Sequence, residues 1–188
     1  MKIRNGLRMG MVAAVMGLGT LGGWSPAALA APPADQQREA SLGFKGLGAS
    51  LGLVDPEGAS STVSFGVHID GGEFVRNVHL TPLVEYWKVG VGGSDLSDFA
   101  LGTDVTLDFP LQNSRVVPYA GGGLGINWLK VSTPLVDNSD TKLGLNLLGG
   151  IRNDVMPNFS LFGELRYNFV SDANQLKILG GFTYHFIY

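Results

Sequence analysis

The chain has 188 residues, of which 45% are hydrophobic, with 13 basic and 16 acidic residues and no cysteine. This length fits one domain, the apolar fraction excludes a disordered protein, and the acidic excess argues against a protein built to bind nucleic acid. The absence of cysteine removes disulfides, thiolate metal sites and thiol nucleophiles. The 28 glycines, about twice the usual share of about 7%, favour turns and curved strands.

The first thirty residues predict a cleavable secretory signal peptide. Residues 1–8 carry basic groups and no acid, residues 9–30 are uncharged and largely apolar, and Ala28-Leu29-Ala30 supplies an A-x-A cleavage site. We expect cleavage after Ala30, which leaves an exported chain with a net charge near −6. An uncleaved membrane anchor is the alternative. Residues 31–40 are predicted to form a flexible N-terminal tail.

From Ser41 onward, apolar and polar residues alternate, which is the pattern of β-strands with one apolar face. In residues 62–70, Val63, Phe65, Val67 and Ile69 alternate with small or polar residues. Seven other segments repeat this pattern, and turn-rich clusters separate them. The eight predicted strands are centred on residues 45–53, 62–70, 78–86, 99–109, 115–129, 142–152, 159–169 and 176–188.

The connections between these strands are predicted from their turn residues. Tight turns are expected at Gly71-Gly72, at Gln112-Asn113-Ser114 and within residues 153–158. Longer, acidic connections are expected at residues 89–97 and 131–140. Short connections are expected at residues 55–58 and 171–174, and the second of these would set Asn168 opposite Lys177.

The composition of the two faces indicates which of them lies inside. The polar face consists mostly of Gly, Ser, Thr, Asn and Ala, which suit the narrow interior of an eight-stranded barrel. The apolar face is nearly free of charge, and aromatic residues cluster at both ends of the strands, as a lipid-facing band requires. We therefore predict an all-β fold: an eight-stranded antiparallel up-and-down transmembrane β-barrel that occupies residues 41–188.

Two segments resemble the small eight-stranded outer-membrane β-barrel family, which includes the OmpA-type transmembrane domain, the opacity proteins and porin-like barrels. They are Pro118-Tyr119-Ala120-Gly121-Gly122-Gly123-Leu124-Gly125 and the closing Gly181-Phe182-Thr183-Tyr184-His185-Phe186-Ile187-Tyr188. The resemblance implies a bacterial outer-membrane location, with both termini in the periplasm and the odd-numbered connections outside. It also implies an insertion signal for the barrel-insertion machinery, formed by Gly181, Tyr184, Phe186 and Tyr188, although the spacing fits Tyr188 less well.

Ionisable residues on the polar face are expected to pair inside the lumen, because isolated charges there are costly. Arg166 is expected to reach Glu85 and Asp104 across the barrel. Such a network either forms a static plug or acts as a gate on a narrow solute path. The predicted members of this polar network are Glu85, Asp104, Arg152, Glu164, Arg166 and Lys177.

The functional prediction is a non-enzymatic outer-membrane protein, porin-like or structural, that is monomeric and surrounded by outer-membrane lipid. No cofactor or metal is expected, because His68, His79 and His185 lie on separate strands without a His-x-Ser or His-x-His pattern. The run from Gly121 to Gly125 is not followed by the Lys-Ser or Lys-Thr of a phosphate-binding loop. Two alternatives remain: a secreted soluble barrel that binds an apolar ligand, and a lipid-modifying hydrolase that uses these histidines.

Overall fold

The computed structural model describes residues 41–133, 137–171 and 173–186. The predicted signal peptide, the predicted tail of residues 31–40, and Tyr188 lie outside these residues. Within them, no helix is long and apolar enough to cross a bilayer.

Eight antiparallel strands form a closed barrel in the order β1 to β8, and β8 pairs with β1 to complete it. The predicted all-β, up-and-down eight-stranded barrel is thereby confirmed. The end that carries the odd-numbered connections is called the outer end below, and the opposite end is called the inner end. The strands are β1 Ser41–Pro56, β2 Thr62–Val75, β3 Val78–Val91, β4 Ser94–Asp108, β5 Val116–Ser132, β6 Asp137–Met156, β7 Phe159–Val170 and β8 Gln175–His185.

The apolar face of the sheet points outward and the polar face points into the lumen. Leu165 is 54% exposed, whereas Arg166, the next residue along β7, is only 6% exposed. On β4, Leu107 is 43% exposed and its neighbour Thr106 is 9% exposed. A soluble barrel that binds an apolar ligand needs the opposite arrangement, so that alternative is wrong.

Outward-facing aromatic residues form a lateral row near the outer end. Phe65 on β2 pairs with Tyr86 on β3, Tyr86 pairs with Phe99 on β4, and Phe99 pairs with Trp128 on β5. The Phe99 and Trp128 ring centroids are 5.6 Å apart. Aromatic rings at both interfaces are typical of membrane barrels, and Phe159 stacks on Phe182 at the inner end, with centroids 5.6 Å apart.

Three of the predicted connections are wrong, because the strands extend into them. At residues 131–140, Val131 pairs with Asn138 and Ser132 pairs with Asp137. Gly71-Gly72 lies within β2, where the register to β1 and β3 is irregular, and the turn is Arg76-Asn77, in which Asn77 has φ 62°. Residues 89–97 are paired strand on both sides of Gly92-Gly93. These glycines have φ 57° and 84°, the pair of positive φ values that a two-residue type I′ hairpin turn requires.

The predicted register of the last hairpin is also wrong. Asn168 lies opposite Gln175, and Arg166 lies opposite Lys177. The connection is residues 171–174, as predicted, but the Ala173 N–H donates a hydrogen bond to the Val170 carbonyl at 3.0 Å, and the pairing is shifted by two residues from the predicted register. The correct register places the two long basic side chains of β7 and β8 side by side.

Candidate functional site

The lumen contains three levels of polar side chains, which the inward-facing residues of the strands supply. The level nearest the outer end, here called the outer layer, is built around the Asp98 carboxylate, which accepts hydrogen bonds from Asn127 and Gln175, each at 2.8 Å. The Trp87 indole N–H donates to Gln175 at 3.2 Å, and the Trp87 side chain is 1% exposed. A large buried ring therefore lies across this part of the lumen.

The middle level, here called the central network, is organised by Arg166. Its guanidinium lies 2.7 Å from Asp104, 2.8 Å from Glu164 and 3.5 Å from Glu85. Lys177, which is fully buried, contacts Glu85 at 2.8 Å. Two buried cations thus balance part of the charge of three carboxylates at this level of the lumen.

Neutral groups extend the central network to two further strands. The Tyr119 hydroxyl on β5 donates to Glu164 at 3.0 Å, and the Asn146 amide on β6 donates to Asp104 at 3.1 Å. Glycine makes room for these contacts: a Cβ at Gly123 would collide with the Asp104 carboxylate and lie 2.9 Å from the Asp104 Cα. Part of the Gly-rich run on β5 is therefore explained by close packing inside the barrel.

The level nearest the inner end, here called the inner ring, is a chain of side-chain contacts that begins at Asp70 and ends at Glu73, both on β2. It crosses β8, β7, β6, β4 and β3 on the way. It contains two histidines, His185 and His79, each placed beside carboxylates. In order, the contacts are Asp70–His185 (3.0 Å), His185–Ser160 (2.9 Å), Ser160–Asp154 (2.6 Å), Asp154–Arg152 (3.8 Å), Arg152–Asp108 (2.5 Å), Asp108–His79 (3.2 Å) and His79–Glu73 (3.8 Å).

Two cavities lie on opposite sides of the central network. The inner cavity, of about 380 Å³, is lined by inner-ring residues and by Arg166, and it reaches Met156 and Pro157 at the inner end. The outer cavity, of about 260 Å³, is lined by Trp87, Gln175 and residues of the outer hairpins. Between them lie Lys177 of the central network and Trp87 and Gln175 of the outer layer, which are 0%, 1% and 1% exposed.

The structure brings five of the six predicted network residues together: Glu85, Asp104, Glu164, Arg166 and Lys177. The sixth, Arg152, lies apart from them in the inner ring. Sequence reasoning missed the outer layer, and it also missed the contact between Ser160 and His185. That contact joins two strands, so a search for neighbouring residues in the sequence could not detect it. The alternation did place both residues on the polar face near the inner end.

The predicted insertion residues that the structure describes lie on or next to β8. Tyr184 is outward-facing and 45% exposed, and its ring centroid lies 5.8 Å from that of Phe186. Gly181 packs against Phe162 and the Ala49 carbonyl, so that a Cβ at this position would collide with both. Among residues 41–133, 137–171 and 173–186, no group of three or more His, Asp or Glu side chains is placed to hold a metal ion.

A family model described as the outer membrane protein beta-barrel domain matches residues 25–186. The chain belongs to this family, and it is a bacterial outer-membrane protein. The resemblance read from the glycine-rich segment and the closing aromatic strand is therefore confirmed, as is the predicted location. No curated protein matches the chain by sequence.

Solved structures show the same fold. Neisserial surface protein A is 23% identical, with a TM-score of 0.65, over 77% of this chain and 98% of that one. The N-terminal β-barrel domain of Pseudomonas aeruginosa OprF is 12% identical, with a TM-score of 0.57, over 77% and 99%. Ail, the attachment invasion locus protein of Yersinia pestis, is 17% identical, with a TM-score of 0.51, over 77% and 100%. At these identities the likeness extends to the fold alone.

Proposed function

We propose that the protein is a non-conducting barrel that contributes to outer-membrane structure and surface contacts, a role that requires no catalysis. The observation that carries this proposal is the complete burial of the side chains between the two cavities, where Lys177 is 0% and Trp87 and Gln175 are 1% exposed. A solute would have to displace both the central network and the outer layer to cross. Eight-stranded barrels leave an interior just wide enough for side chains to fill, which supports a static plug over a gate.

Conductance in planar lipid bilayers tests the plug. The wild-type protein is expected to give no channel events, and the Arg166→Ala variant is also expected to give none, because Trp87 still closes the outer layer. The double variant Arg166→Ala with Trp87→Ala is expected to open a small conductance. Channel events from the wild-type protein would contradict the plug and favour the porin-like solute path.

We also propose that the barrel-insertion machinery recognises β8 through Gly181, Tyr184 and Phe186. The last strand ends in alternating outward aromatics beside the seam with β1. Replacing both Tyr184 and Phe186 with alanine should reduce the amount of folded protein in outer membranes, while refolding into pure lipid vesicles stays comparable to wild type. The matched control is Tyr167→Ala, which removes a lipid-facing aromatic from the outer end. Equal losses for both variants would show that only lipid contact matters.

Outer-membrane lipid surrounds the proposed monomer on all sides. The closed sheet leaves no unpaired edge for a second chain to extend, and exposed apolar side chains occur on every strand. Chemical cross-linking of native membranes is expected to give the mass of one chain. A predominant cross-linked dimer would contradict the monomer.

A further inference from the structure

Three inner-ring side chains from three strands meet in the order carboxylate, imidazole, hydroxyl. Asp70 Oδ2 on β2 lies 3.0 Å from His185 Nδ1 on β8, and His185 Nε2 lies 2.9 Å from Ser160 Oγ on β7. In this arrangement the carboxylate orients the imidazole, and the imidazole can remove the hydroxyl proton. We infer that Ser160 is a nucleophile that hydrolyses small carboxylic esters entering from the inner end. This activity goes beyond the proposed envelope role.

A substrate-sized space adjoins Ser160, which is itself 1% exposed. Ser160, His185 and Asp70 all line the inner cavity of about 380 Å³, which lies in the size range of small-molecule sites. Met156 and Pro157, at the β6–β7 turn, line it too, so the cavity is reached from the inner end. Apolar and polar side chains both contribute to its walls, as a small ester requires.

The reaction balances with these residues and one water molecule. Ser160 Oγ attacks the ester carbonyl carbon while its proton passes to His185 Nε2, and the tetrahedral adduct collapses as the alcohol leaves with that proton. Water then attacks the acyl-serine, giving its proton to His185, and the carboxylic acid leaves as Ser160 regains a proton. Backbone N–H groups in the closed sheet are taken by the strand ladders. The Arg152 guanidinium lines the same cavity and lies 3.8 Å from the Asp154 oxygen that Ser160 contacts, so it is the cationic side chain that we assign to a developing oxyanion.

Asp154 restrains the nucleophile. Its carboxylate accepts a hydrogen bond from Ser160 at 2.6 Å, and a hydroxyl has one proton, so Ser160 cannot donate to Asp154 and to His185 at once. While the proton points at Asp154, His185 cannot accept it. Removing this carboxylate should direct the hydroxyl toward the imidazole and raise the reactivity of Ser160.

Covalent labelling of the purified protein in detergent micelles tests the inference. Diisopropyl fluorophosphate, a small serine-directed reagent, is expected to form an adduct that mass spectrometry maps to Ser160. Ser160→Ala should abolish the adduct, His185→Gln should slow labelling by about 100-fold or more, and Asp154→Ala should accelerate it. Ser114→Ala is the matched control: Ser114 is exposed and its hydroxyl contacts only the Val116 backbone among the described bonds, so labelling should be unchanged.

Asp70 acts through His185, and a kinetic measurement separates this positioning role from a structural one. With p-nitrophenyl acetate as substrate, Asp70→Asn is expected to lower kcat and leave KM near the wild-type value. Circular dichroism establishes which variants remain folded barrels. The inference is overturned if folded wild type and folded Asp154→Ala both lack an adduct on Ser160. That result would leave the non-conducting envelope role intact, because the conductance experiment tests it separately.

Discussion

Arg166 is the residue on which most of the lumen charge depends. It is 6% exposed and contacts Asp104, Glu164 and Glu85, which come from β4, β7 and β3. Each of these carboxylates is buried, and its attraction to the guanidinium offsets the cost of removing it from water. One side chain thereby links strands on opposite sides of the barrel.

Replacing Arg166 with alanine is expected to lower the free energy of unfolding by about 3–5 kcal/mol, because it leaves buried carboxylates without their cation. Urea unfolding in lipid vesicles, followed by circular dichroism, measures the change. The control Arg115→Ala removes an exposed arginine near the β4–β5 turn and should change the stability by less than about 0.5 kcal/mol. Equal effects of the two variants would contradict the central role of Arg166.

Two β-strand glycines should respond in opposite ways to a methyl group. A Cβ at Gly123 would collide with Asp104 and the Thr103 backbone, whereas a Cβ at Gly163 meets nothing within 4 Å. Gly123→Ala is therefore expected to cost about 1–3 kcal/mol through overpacking, and Gly163→Ala should be nearly neutral. Thermal unfolding of both variants in the same detergent gives the comparison, and a tolerated Gly123→Ala would contradict the packing described here.

Residue-level contacts could be predicted only in part from the sequence. Alternation placed Arg166, Glu85 and Asp104 on one face, because side-chain direction follows directly from the period of a strand. Which of these side chains contact one another depends on which strands face each other across the lumen and on the register between neighbouring strands. A register error of two residues at the β7–β8 hairpin was enough to hide the Arg166–Lys177 pair, and the contact between His185 and Ser160 was missed for the same reason.

The sequence predicts the central part of each strand correctly, but each strand extends further than predicted at one end or both. Outside the lipid-facing band the apolar alternation weakens, yet β3 and β4 continue to pair as far as Val91 and Ser94. Gly71-Gly72 was predicted to be a tight turn, and residues 89–97 were predicted to be a longer, acidic connection. Gly92-Gly93 forms the turn between β3 and β4, whereas Gly71-Gly72 lies where the pairing of β2 with its neighbours changes register. The sequence alone does not distinguish a glycine pair in a turn from one in an irregular strand.

A charge on the outward face of a strand should be costly in proportion to its depth in the membrane. Leu165 lies at the middle of β7 and is 54% exposed, so Leu165→Arg is expected to destabilise the barrel by about 2–4 kcal/mol. Leu111 is equally exposed, at 53%, but lies in the β4–β5 turn, and Leu111→Arg should cost little. Unfolding in lipid vesicles measures both, and similar costs would contradict the placement of Leu165 in hydrocarbon.

For the whole barrel, strand lengths are unequal. β5 and β6 have 17 and 20 residues, whereas β7 and β8 have 12 and 11, and a tilted strand needs only about 9–11 residues to cross the bilayer. The two longest strands, β5 and β6, therefore extend beyond the membrane at the hairpin that joins them. This hairpin belongs to the outer end, which the family resemblance assigns to the cell exterior.

The absence of cysteine allows this orientation to be tested with single introduced thiols. Ser139→Cys, in the β5–β6 hairpin, is expected to react with a membrane-impermeant maleimide on intact cells. Ser114→Cys, in the β4–β5 turn at the inner end, should react only after the outer membrane has been permeabilised. Both serines are exposed, so protein burial does not explain a difference, and the reverse labelling pattern would invert the assigned topology.

Two tryptophans lie on opposite faces of the barrel sheet, so their fluorescence reports on different environments. Trp87 is 1% exposed inside the outer layer, and Trp128 is 38% exposed on the outward face. Brominated acyl chains should quench the fluorescence of Trp128 but not that of Trp87. Single-tryptophan variants can therefore follow two events separately during folding: the insertion of the strands into the bilayer and the packing of the side chains in the lumen. The order in which the two signals change would reveal whether the interior forms before, during or after the strands enter the bilayer.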